Sequence, residues 1–458
     1  MQVDYAIIGA GPTGLGAARR LIELGARNFL VLEKNAYAGG LAASFQDDRG
    51  YTWDIGGHVV FSHYEYFDRM HDDLLGQDQL RHQRKACVRS SGTWVPYPFQ
   101  NNIRHLPREP KWQCVRGLLP GRRPDGPPRN FREWIHCVFG EGIGETFLWP
   151  YNFKVWAIDP ARMNASWVGE RVSIVELEGV LKNILLELDD SSWGPNNTFT
   201  FPSHGGTGEV YRRQADRLKD RIRFGQAVTR VDAEAKTLTL AGGETVRYKH
   251  LLSTGPLDLL MTKQLSQAPD ALRDKAAGLK HNGVFVAGVG VDERFPLPQS
   301  MGGGHDDRCW MYFPEDDCPF YRVTNFHNYA PANAPGPGKS AFLCETSFSE
   351  HKPEDLSGVM ERTVRGLVNT TLLPEEALAK VESRFELAVD YGYPIPCLER
   401  DEILRAVQPW LEERGIYSRG RFGGWKYEAS NMDHSVMQGV EWAERMVLGQ
   451  PEKTYTWK

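Results

Sequence analysis

Three glycines near the start of the chain have the spacing that a bound nucleotide requires. Gly9, Gly11 and Gly14 follow a short apolar stretch and precede a segment of helical character. Gly9 allows a tight turn, Gly11 lets the backbone approach a pyrophosphate, and Gly14 lets helix and strand pack closely. Glu33 comes 19 residues after Gly14 and can accept hydrogen bonds from both hydroxyls of a ribose without a 2′-phosphate. The pattern predicts a dinucleotide site.

A second glycine pair favours FAD over NAD as this dinucleotide. Gly39 and Gly40 follow Glu33 by six and seven residues, where another close approach of the backbone suits a flavin lying along the domain. The helix that begins after Gly11 offers free N–H groups and the positive end of its dipole to the phosphates. The predicted FAD-binding residues of this region are Gly9, Gly11, Pro12, Thr13, Gly14, Glu33, Gly39, Gly40 and Leu41.

Sequence periodicity predicts the elements that position these glycines. Residues 1–45 have the pattern of strand, helix and strand that begins a parallel α/β domain. Residues 105–190 have mainly helical spacing, including 133–138 and 174–188, residues 222–254 alternate as strands, and residues 433–448 form a final helix. The order resembles the interrupted layout of flavoproteins with a glutathione-reductase-like fold.

The expected fold class is therefore α/β, with an FAD-binding Rossmann-like domain interrupted by a helical domain and an antiparallel-sheet domain. We assign residues 1–95, 200–255 and 400–458 to the FAD-binding domain, residues 96–199 to the mainly helical substrate domain, and residues 256–399 to the antiparallel-sheet substrate domain.

The composition excludes several classes of protein. With 458 residues, of which 41% are apolar and 25% charged, the chain suits a soluble globular protein of two or three domains. Its net charge of −5 argues against a nucleic-acid partner. Residues 284–291 form the longest uncharged apolar stretch, which is too short to span a bilayer and predicts a buried strand. Seven scattered cysteines and no signal peptide favour a cytoplasmic protein with reduced thiols, and no metal site is expected.

Longer motifs resemble those of the UDP-galactopyranose mutases, and of their eukaryotic type in particular. The match runs from about residue 3 to residue 448, and several of the motifs are long and rare in composition. They occupy residues 56–68, 94–102, 150–156, 169–171, 193–196, 312–316, 318–322, 392–394 and 418–423.

The resemblance implies an isomerisation in which FAD does not carry electrons away. Reduced flavin N5 attacks the anomeric carbon of UDP-galactopyranose and UDP leaves. The sugar ring opens, closes again through the 4-hydroxyl, and takes UDP back to give UDP-galactofuranose. The flavin must therefore be kept reduced. The resemblance implies NADPH as the reductant, without a second Rossmann motif, and assigns Arg84 to it.

The same resemblance implies roles for residues around the sugar nucleotide. A departing diphosphate needs fixed cations, and the planar fork of arginine binds phosphate oxygens in pairs. Arg171 and Arg322 match the diphosphate arginines, and His58 matches a histidine that orients the flavin rather than acting as a general base. These three are the predicted catalytic residues. Gly57, His58, Arg421 and Asn431 join the FAD-binding set. The predicted substrate contacts are Phe61, Tyr97, Phe99, Gln100, Asn152, Trp156, Arg171, Asn196, Tyr312, Arg322, Tyr393, Tyr427 and Asn431.

Some features leave alternatives open. Met432 stands where the family often has glutamine, and the loop near residues 331–340 is short, which leaves the oligomeric state open. A sugar that differs at one hydroxyl would change few contacts, so a mutase for a related nucleotide sugar is an alternative. An FAD-dependent oxidase of the amine oxidase or protoporphyrinogen oxidase type is another, although it needs an apolar cavity beside the flavin. A third is a flavoprotein that only binds a sugar nucleotide.

Overall fold

The fold is built around two seven-stranded sheets. The computed structural model describes residues 1–124, 126–191, 194, 197–297, 304 and 306–457. Helices and strands are numbered along the chain. No helix in these ranges is long and apolar enough to cross a membrane.

The first sheet is largely parallel and contains the start of the chain. Its strands are β1 (Gln2–Ile8), β2 (Phe29–Leu32), β9 (Ile222–Arg223), β10 (Val228–Asp232), β11 (Thr237–Leu240), β12 (Thr245–Ser253) and β18 (Ile416–Ser418). Their order is β10-β11-β12-β1-β2-β9, with β18 added to β12. The pairs β12–β1, β1–β2, β2–β9 and β12–β18 are parallel. The strands predicted from the alternation of residues 222–254 are confirmed, and β12 pairs with β1 in the nucleotide sheet.

Helices cover both faces of this sheet because its strands alternate their buried side chains. Phe29 and Val31 pack on one face with α1 (Pro12–Glu23), α2 (Glu65–Leu75), α7 (Gly208–Arg217) and α13 (Met432–Leu448). Leu30 and Leu32 pack on the other face with α8 (Leu257–Leu259), α9 (Asp270–Ala277) and α12 (Arg400–Glu412). This two-sided burial is typical of a doubly wound nucleotide-binding domain.

The second sheet is antiparallel except at one pair. Its strands are β6 (Ala86–Ser90), β7 (Thr93–Pro96), β13 (His281–Val291), β14 (Trp310–Tyr312), β15 (Arg322–Asn325), β16 (Ser340–Phe348) and β17 (Val381–Pro394). Their order is β17-β13-β16-β15-β14-β6-β7, and only β14–β6 is parallel. The strand β13, second from one edge of the sheet, contains the buried strand predicted at residues 284–291, and α11 (Val359–Asn369) packs on it.

The remaining elements connect the two sheets. Four helices, α3 (Arg108–Leu118), α4 (Phe131–Ile143), α5 (Trp149–Trp156) and α6 (Leu177–Leu185), form the predicted helical part. α6 is shorter at both ends than the helix predicted over residues 174–188, because Glu176 has extended backbone and Glu187 has a φ of +55°. Two antiparallel two-stranded sheets are formed by β3 (Ser44–Gln46) with β4 (Thr52–Asp54), and by β5 (Gln79–Gln83) with the distant β8 (Thr198–Pro202). A short helix, α10 (Phe326–Tyr329), follows β15.

The three-domain division is a proposal that the sheet pairing refines. β6 and β7 belong to the first range assigned to the FAD-binding domain, but they form the edge of the second sheet. We propose that the first boundary falls near residue 85 instead of residue 95.

Candidate active site

The glycine fingerprint forms the turn between β1 and α1. Gly9 has a φ of +102°, and Gly11 is the N-cap of α1. A Cβ atom on Gly14 would lie 1.9 Å from the carbonyl oxygen of Gly9, so only glycine lets the helix begin this close to the strand. Pro12 is the first helical residue, and no described side chain caps the helix. The N–H groups of the first turn, including that of Thr13, are thus available to an anion.

The second glycine pair lies against this turn. The Gly39 N–H donates to the carbonyl of Ala10 at 2.9 Å. A Cβ atom on Gly40 would lie 3.4 Å from the Cα of Gly11, so the two loops approach through backbone alone. Leu41 is in the short helical turn that follows. The predicted second close approach of the backbone is present.

Glu33 completes the cradle at the carboxyl end of β2. Its carboxylate accepts the N–H groups of Ala10 and Asn35, each at 2.8 Å, beside the glycine turn. A carboxylate can accept more hydrogen bonds than these two, so it can also receive ribose hydroxyls. Three features together fit the adenosine diphosphate part of FAD: the glycine turn, the uncapped N-terminus of α1 and the fixed carboxylate of Glu33.

The last helix packs against the same turn. A Cβ atom on Gly439 of α13 would lie 2.0 Å from the carbonyl oxygen of Thr13, and one on Gly420 would lie 2.6 Å from its hydroxyl. Asn431 is the N-cap of α13. The chain thereby brings Arg421 and Asn431, both predicted at the flavin, to the nucleotide-binding domain from its far end.

The loop of Gly56, Gly57 and His58 connects β4 to the site. Gly56 has a φ of +96°, and the Gly57 N–H donates to Glu345 at 3.0 Å. Burial lowers the pKa of His58 to about 4; Glu345 opposes this shift, and the charges of Arg322 and Arg421 add to it. The imidazole is therefore neutral at neutral pH. Its Nδ1 is buried without a hydrogen-bond partner among the described residues, which leaves a position for a polar group of the cofactor.

Asp54 anchors the strand that leads into this loop. Its carboxylate accepts the N–H of Thr207 at 3.1 Å and the hydroxyl of Ser44. The side chain is fully buried, and burial raises its pKa to about 7 although both hydrogen bonds act in the opposite direction. Asp54 links β4 to β3 and to the start of α7.

The far end of the same loop is held by Asp433. Its two oxygens contact the Nδ1 atoms of His63 and His434 at 2.9 and 3.0 Å, and one oxygen also accepts the N–H of His63 at 3.2 Å. The three residues place possible metal-binding atoms within 4.8 Å of one another. No local sequence pattern indicates this cluster, because His63 lies 370 positions from Asp433.

Two arginines flank a pair of tyrosines next to this loop. The Cζ of Arg171 lies 4.9 Å from the ring centre of Tyr427, and the Cζ of Arg421 lies 5.5 Å from the same ring and 4.8 Å from that of Tyr393. Arg171 donates to the backbone carbonyls of Tyr427 and Glu428, and Arg421 donates to the carbonyl of Gly392. Neither guanidinium pairs with a carboxylate in the described part of the chain.

Arg322 differs from these two because it has a buried acidic partner. Its Nε and Nη2 groups donate to the two oxygens of Glu345 at 2.6 and 2.7 Å. Arg322 and Glu345 are direct neighbours across β15 and β16. Burial favours the neutral acid, but Arg322 and the hydrogen bonds from Gly57 and Tyr321 outweigh it and lower the pKa of Glu345. The pair is therefore ionised.

Tyr97, Tyr312 and Arg84 form a neighbouring group. The ring centres of Tyr97 and Tyr312 are 5.3 Å apart, and the Tyr312 hydroxyl accepts the indole N–H of Trp310 at 2.6 Å. Arg84 lies buried with its Cζ 5.3 Å from the ring of Tyr97. The backbone N–H of Arg84 donates to the carbonyl of Asn197, and its side chain donates to the carbonyl of Ser191. The predicted NADPH arginine is thus placed beside a predicted substrate tyrosine.

Other predicted substrate residues line or support the site from the helical part. Trp156 packs 4.8 Å from Tyr427 and donates to the side chain of Asn152 at 3.2 Å. Phe99 is fully buried against Phe147, and Gln100 donates to a backbone carbonyl at 2.6 Å, so both are internal in this conformation.

Phe61 and Asn196 are two further predicted substrate contacts. Phe61 packs edge-on against His63 at 5.6 Å, on the loop that continues from His58. Asn196 lies outside the described residues, as do Trp193 and Pro195 of the same motif.

Sequence reasoning missed Glu345. A signal was available, because Glu345 is an isolated acid in a strand of otherwise apolar and small polar residues that is buried over almost its whole length. Such a charge requires a buried partner. The identity of that partner, Arg322, depends on the register of β15 and β16, which cannot be read from the sequence.

The comparisons with known proteins agree with this geometry. Residues 12–446 match the family of flavin-containing amine oxidoreductases. A crystal structure of reduced UDP-galactopyranose mutase superposes with a TM-score of 0.94 at 43% identity, over 99% of this chain and 96% of that one. Cyclohexylamine oxidase from Brevibacterium oxydans shares the fold at a TM-score of 0.68 and 17% identity, over 98% of this chain and 99% of its own.

A curated relative with a similar sequence is more distant. Amine oxidase A of Sus scrofa is 23% identical over 340 residues, which are 71% of this chain and 58% of that protein. The chain thus spans less than two thirds of the length of this curated relative. The match to the solved mutase covers both chains almost completely, and it is the one that decides the family. The protein belongs to the UDP-galactopyranose mutases, within the flavin-containing amine oxidoreductases.

Proposed function

We propose that this protein is an isomerase that interconverts UDP-galactopyranose and UDP-galactofuranose with FAD as its cofactor and no net redox change. The observation that carries the proposal is the charge of the site. Arg171, Arg322 and Arg421 gather around the tyrosines, and Glu345 is the one carboxylate that pairs with any of them in the described part of the chain. The excess positive charge suits the two negative charges of a diphosphate diester.

The same charge argues against an amine oxidase, although the fold is shared. An amine substrate is a cation in water, and three guanidinium groups at the site would repel it. The arginines and tyrosines of this site would also not form the apolar cavity that such an oxidase needs.

In the proposed reaction the arginines hold the diphosphate while the bond to the sugar breaks. Arg171 and Arg322 stabilise the negative charge that develops on the departing UDP. Each such fixed donor contributes about 2–4 kcal/mol of transition-state stabilisation. Tyr312, Tyr393 and Tyr427 donate their hydroxyls to the phosphates, and burial keeps the first two protonated by raising their pKa.

The remaining residues orient the two ends of the substrate and the cofactor. We assign Tyr97, Phe99 and Gln100 to the uridine site; Phe99 and Gln100 are internal in this conformation, so they must become accessible to contact the base. We assign Asn152 and Trp156 to the ribose, and Phe61, Asn196 and Asn431 to the sugar. The bound and reduced FAD would supply the nucleophile, its N5 atom. The glycine cradle and Glu33 hold its adenosine diphosphate part, while neutral His58 orients the flavin by hydrogen bonding.

We also propose NADPH as the reductant, with Arg84 as its contact. Arg84 is buried over Tyr97 in this structure and donates to the carbonyl of Ser191, so binding NADPH requires Arg84 to exchange that hydrogen bond for one to NADPH. Anaerobic mixing of the oxidised protein with NADPH should bleach the flavin, and Arg84→Ala should slow the bleaching. Equal rates in the two proteins would remove Arg84 from this role.

The test of the main proposal is an isomerisation assay. The protein is incubated anaerobically with UDP-galactofuranose and dithionite, and UDP-galactopyranose is followed by chromatography. Isomerisation should occur, should stop when the flavin is oxidised, and should fall by about 100-fold in Arg171→Ala. Arg69→Ala, which removes an exposed arginine paired with Glu65, is the control. Peroxide release in air without isomerisation would refute the proposal in favour of an oxidase.

A further inference from the structure

We infer that Glu345 is a positioning residue that fixes Arg322 and the loop of His58 through one carboxylate. The inference rests on the proposed function, because it assigns to Glu345 the alignment of an arginine that binds the diphosphate. It adds a residue that the sequence motifs do not include.

The carboxylate of Glu345 is saturated by four hydrogen bonds. One oxygen accepts Arg322 Nε at 2.6 Å and the Gly57 N–H at 3.0 Å. The other accepts Arg322 Nη2 at 2.7 Å and the Tyr321 hydroxyl at 2.8 Å. The side chain is 3% exposed, against 22% for Arg322. Glu345 therefore has neither a free lone pair nor an open face for substrate, and it can act only through the groups that it holds.

The pair fixes one edge of the Arg322 guanidinium and leaves the other edge free. Nε and one N–H of Nη2 are occupied by Glu345, so the Nη1 group and the second N–H of Nη2 are the donors that a phosphate can reach. A guanidinium held in this way loses little freedom when it binds a second anion. Without Glu345 the guanidinium group could rotate about the bonds of the Arg322 side chain.

The same carboxylate supports the backbone of the histidine loop. It binds the N–H of the residue directly before His58. A Cβ atom on Gly56 would lie 3.1 Å from one of its oxygens, so the loop rests on the carboxylate. A displacement of Glu345 would therefore move Arg322 and the His58 loop together.

A different role for Glu345 gives the opposite result. If it served only to reduce the positive charge of the site, its neutralisation would strengthen the binding of the UDP anion. If it positions Arg322, neutralisation weakens that binding. The direction of the change distinguishes the two roles.

The experiment measures UDP binding to the FAD-loaded protein by calorimetry. Glu345→Gln should weaken binding by about 10–100-fold, the range for a lost charge-assisted hydrogen-bond arrangement. Glu382→Gln is the matched control, because Glu382 also bonds a cation, Lys339, and a tyrosine hydroxyl, that of Tyr51. It should bind UDP like the wild type.

A double variant tests whether Glu345 acts through Arg322. Arg322→Ala with Glu345→Gln should bind UDP no more weakly than Arg322→Ala alone, since the intermediary is already absent. Independent, additive losses would overturn the inference. If Glu345→Gln does not fold, Tyr321→Phe removes one hydrogen bond from the carboxylate without changing charge, and about threefold weaker binding is expected.

The outcomes separate this inference from the proposed function. A wild-type protein that does not bind UDP would overturn both. Only the positioning role would be overturned if the wild type binds UDP and Glu345→Gln binds it equally well or more tightly. Where Tyr321→Phe is used instead, UDP binding equal to that of the wild type would have the same consequence.

Discussion

The contact between Gly57 and Thr324 permits a size-complementation test of the histidine loop. A Cβ atom on Gly57 would lie 2.4 Å from Thr324 Oγ1, about an ångström closer than an ordinary van der Waals contact. Thr324 is fully buried, and its strand pairs with β14 and β16 on both sides, so its backbone cannot move away easily. Its β-branched side chain is also stiff at χ1. The alanine methyl group must therefore displace the loop.

The expected cost of Gly57→Ala follows from this overlap. Overpacking of this kind destabilises a protein by about 1–3 kcal/mol. The displaced loop would also lengthen the 3.0 Å hydrogen bond from Gly57 to Glu345 and shift His58. We expect a lower thermal midpoint together with a lower kcat/KM for isomerisation.

A second substitution should relieve the overlap. Thr324→Ala removes Oγ1, which has no hydrogen-bond partner among the described residues, so it vacates the space of the collision without breaking a polar contact. Gly57→Ala with Thr324→Ala should therefore be more stable and more active than Gly57→Ala alone, by about 1 kcal/mol or more of coupling. Thr324→Val keeps the branched shape and places a methyl group where Oγ1 lies, so it should give no rescue. Equal rescue by valine and alanine, or wild-type behaviour of Gly57→Ala, would refute the reasoning.

Three further predictions concern the cradle and the buried ionisable groups. Gly14→Ala should yield protein without the visible absorbance of FAD. The control Gly242→Ala, where an added Cβ meets nothing within 4 Å, should stay yellow, and a yellow Gly14→Ala would contradict the proposed FAD cradle. His58 has a pKa of about 4 when folded against 6.5 ordinarily, so its contribution to stability is lost as the pH falls from 6.5 toward 4; thermal midpoints of His58→Asn should lack this part of the slope. Asp54 has a pKa of about 7 when folded against 3.8, so its contribution is lost as the pH rises from 3.8 through 7; an unchanged slope in Asp54→Asn would contradict the assigned protonation.

The parts of the fold that were predictable from sequence are those fixed by neighbouring residues. The turn at Gly9 and Gly14 depends on a steric contact five positions apart, and the strand alternation of residues 222–254 is local as well. The assignment of β6 and β7 to the second sheet was not predictable, because it depends on pairing with β14, more than 200 positions away.

The same division holds for the site. Arg322 was identified from its motif, but its bidentate pair with Glu345 depends on the register of β15 and β16. The contact of His63 with Asp433 joins the two ends of the chain and has no local pattern. Motifs therefore indicated candidate site residues, while tertiary packing decides which of them form ion pairs.

The distribution of charge supports the proposal that this chain takes an anionic substrate on a fold that it shares with amine oxidases. The backbone resembles that of an oxidase for cyclohexylamine at a TM-score of 0.68, although only 17% of residues are identical. A fold shared at this identity does not determine the reaction. Here Arg171 and Arg421 stack on tyrosine rings and bond to backbone carbonyls, which do not neutralise them. Of the three site arginines, Arg322 alone has a carboxylate partner among the residues that the structure describes. Leaving two guanidinium groups without acidic partners is costly unless an anion binds there. The two arginines therefore support the proposed binding of an anionic sugar nucleotide.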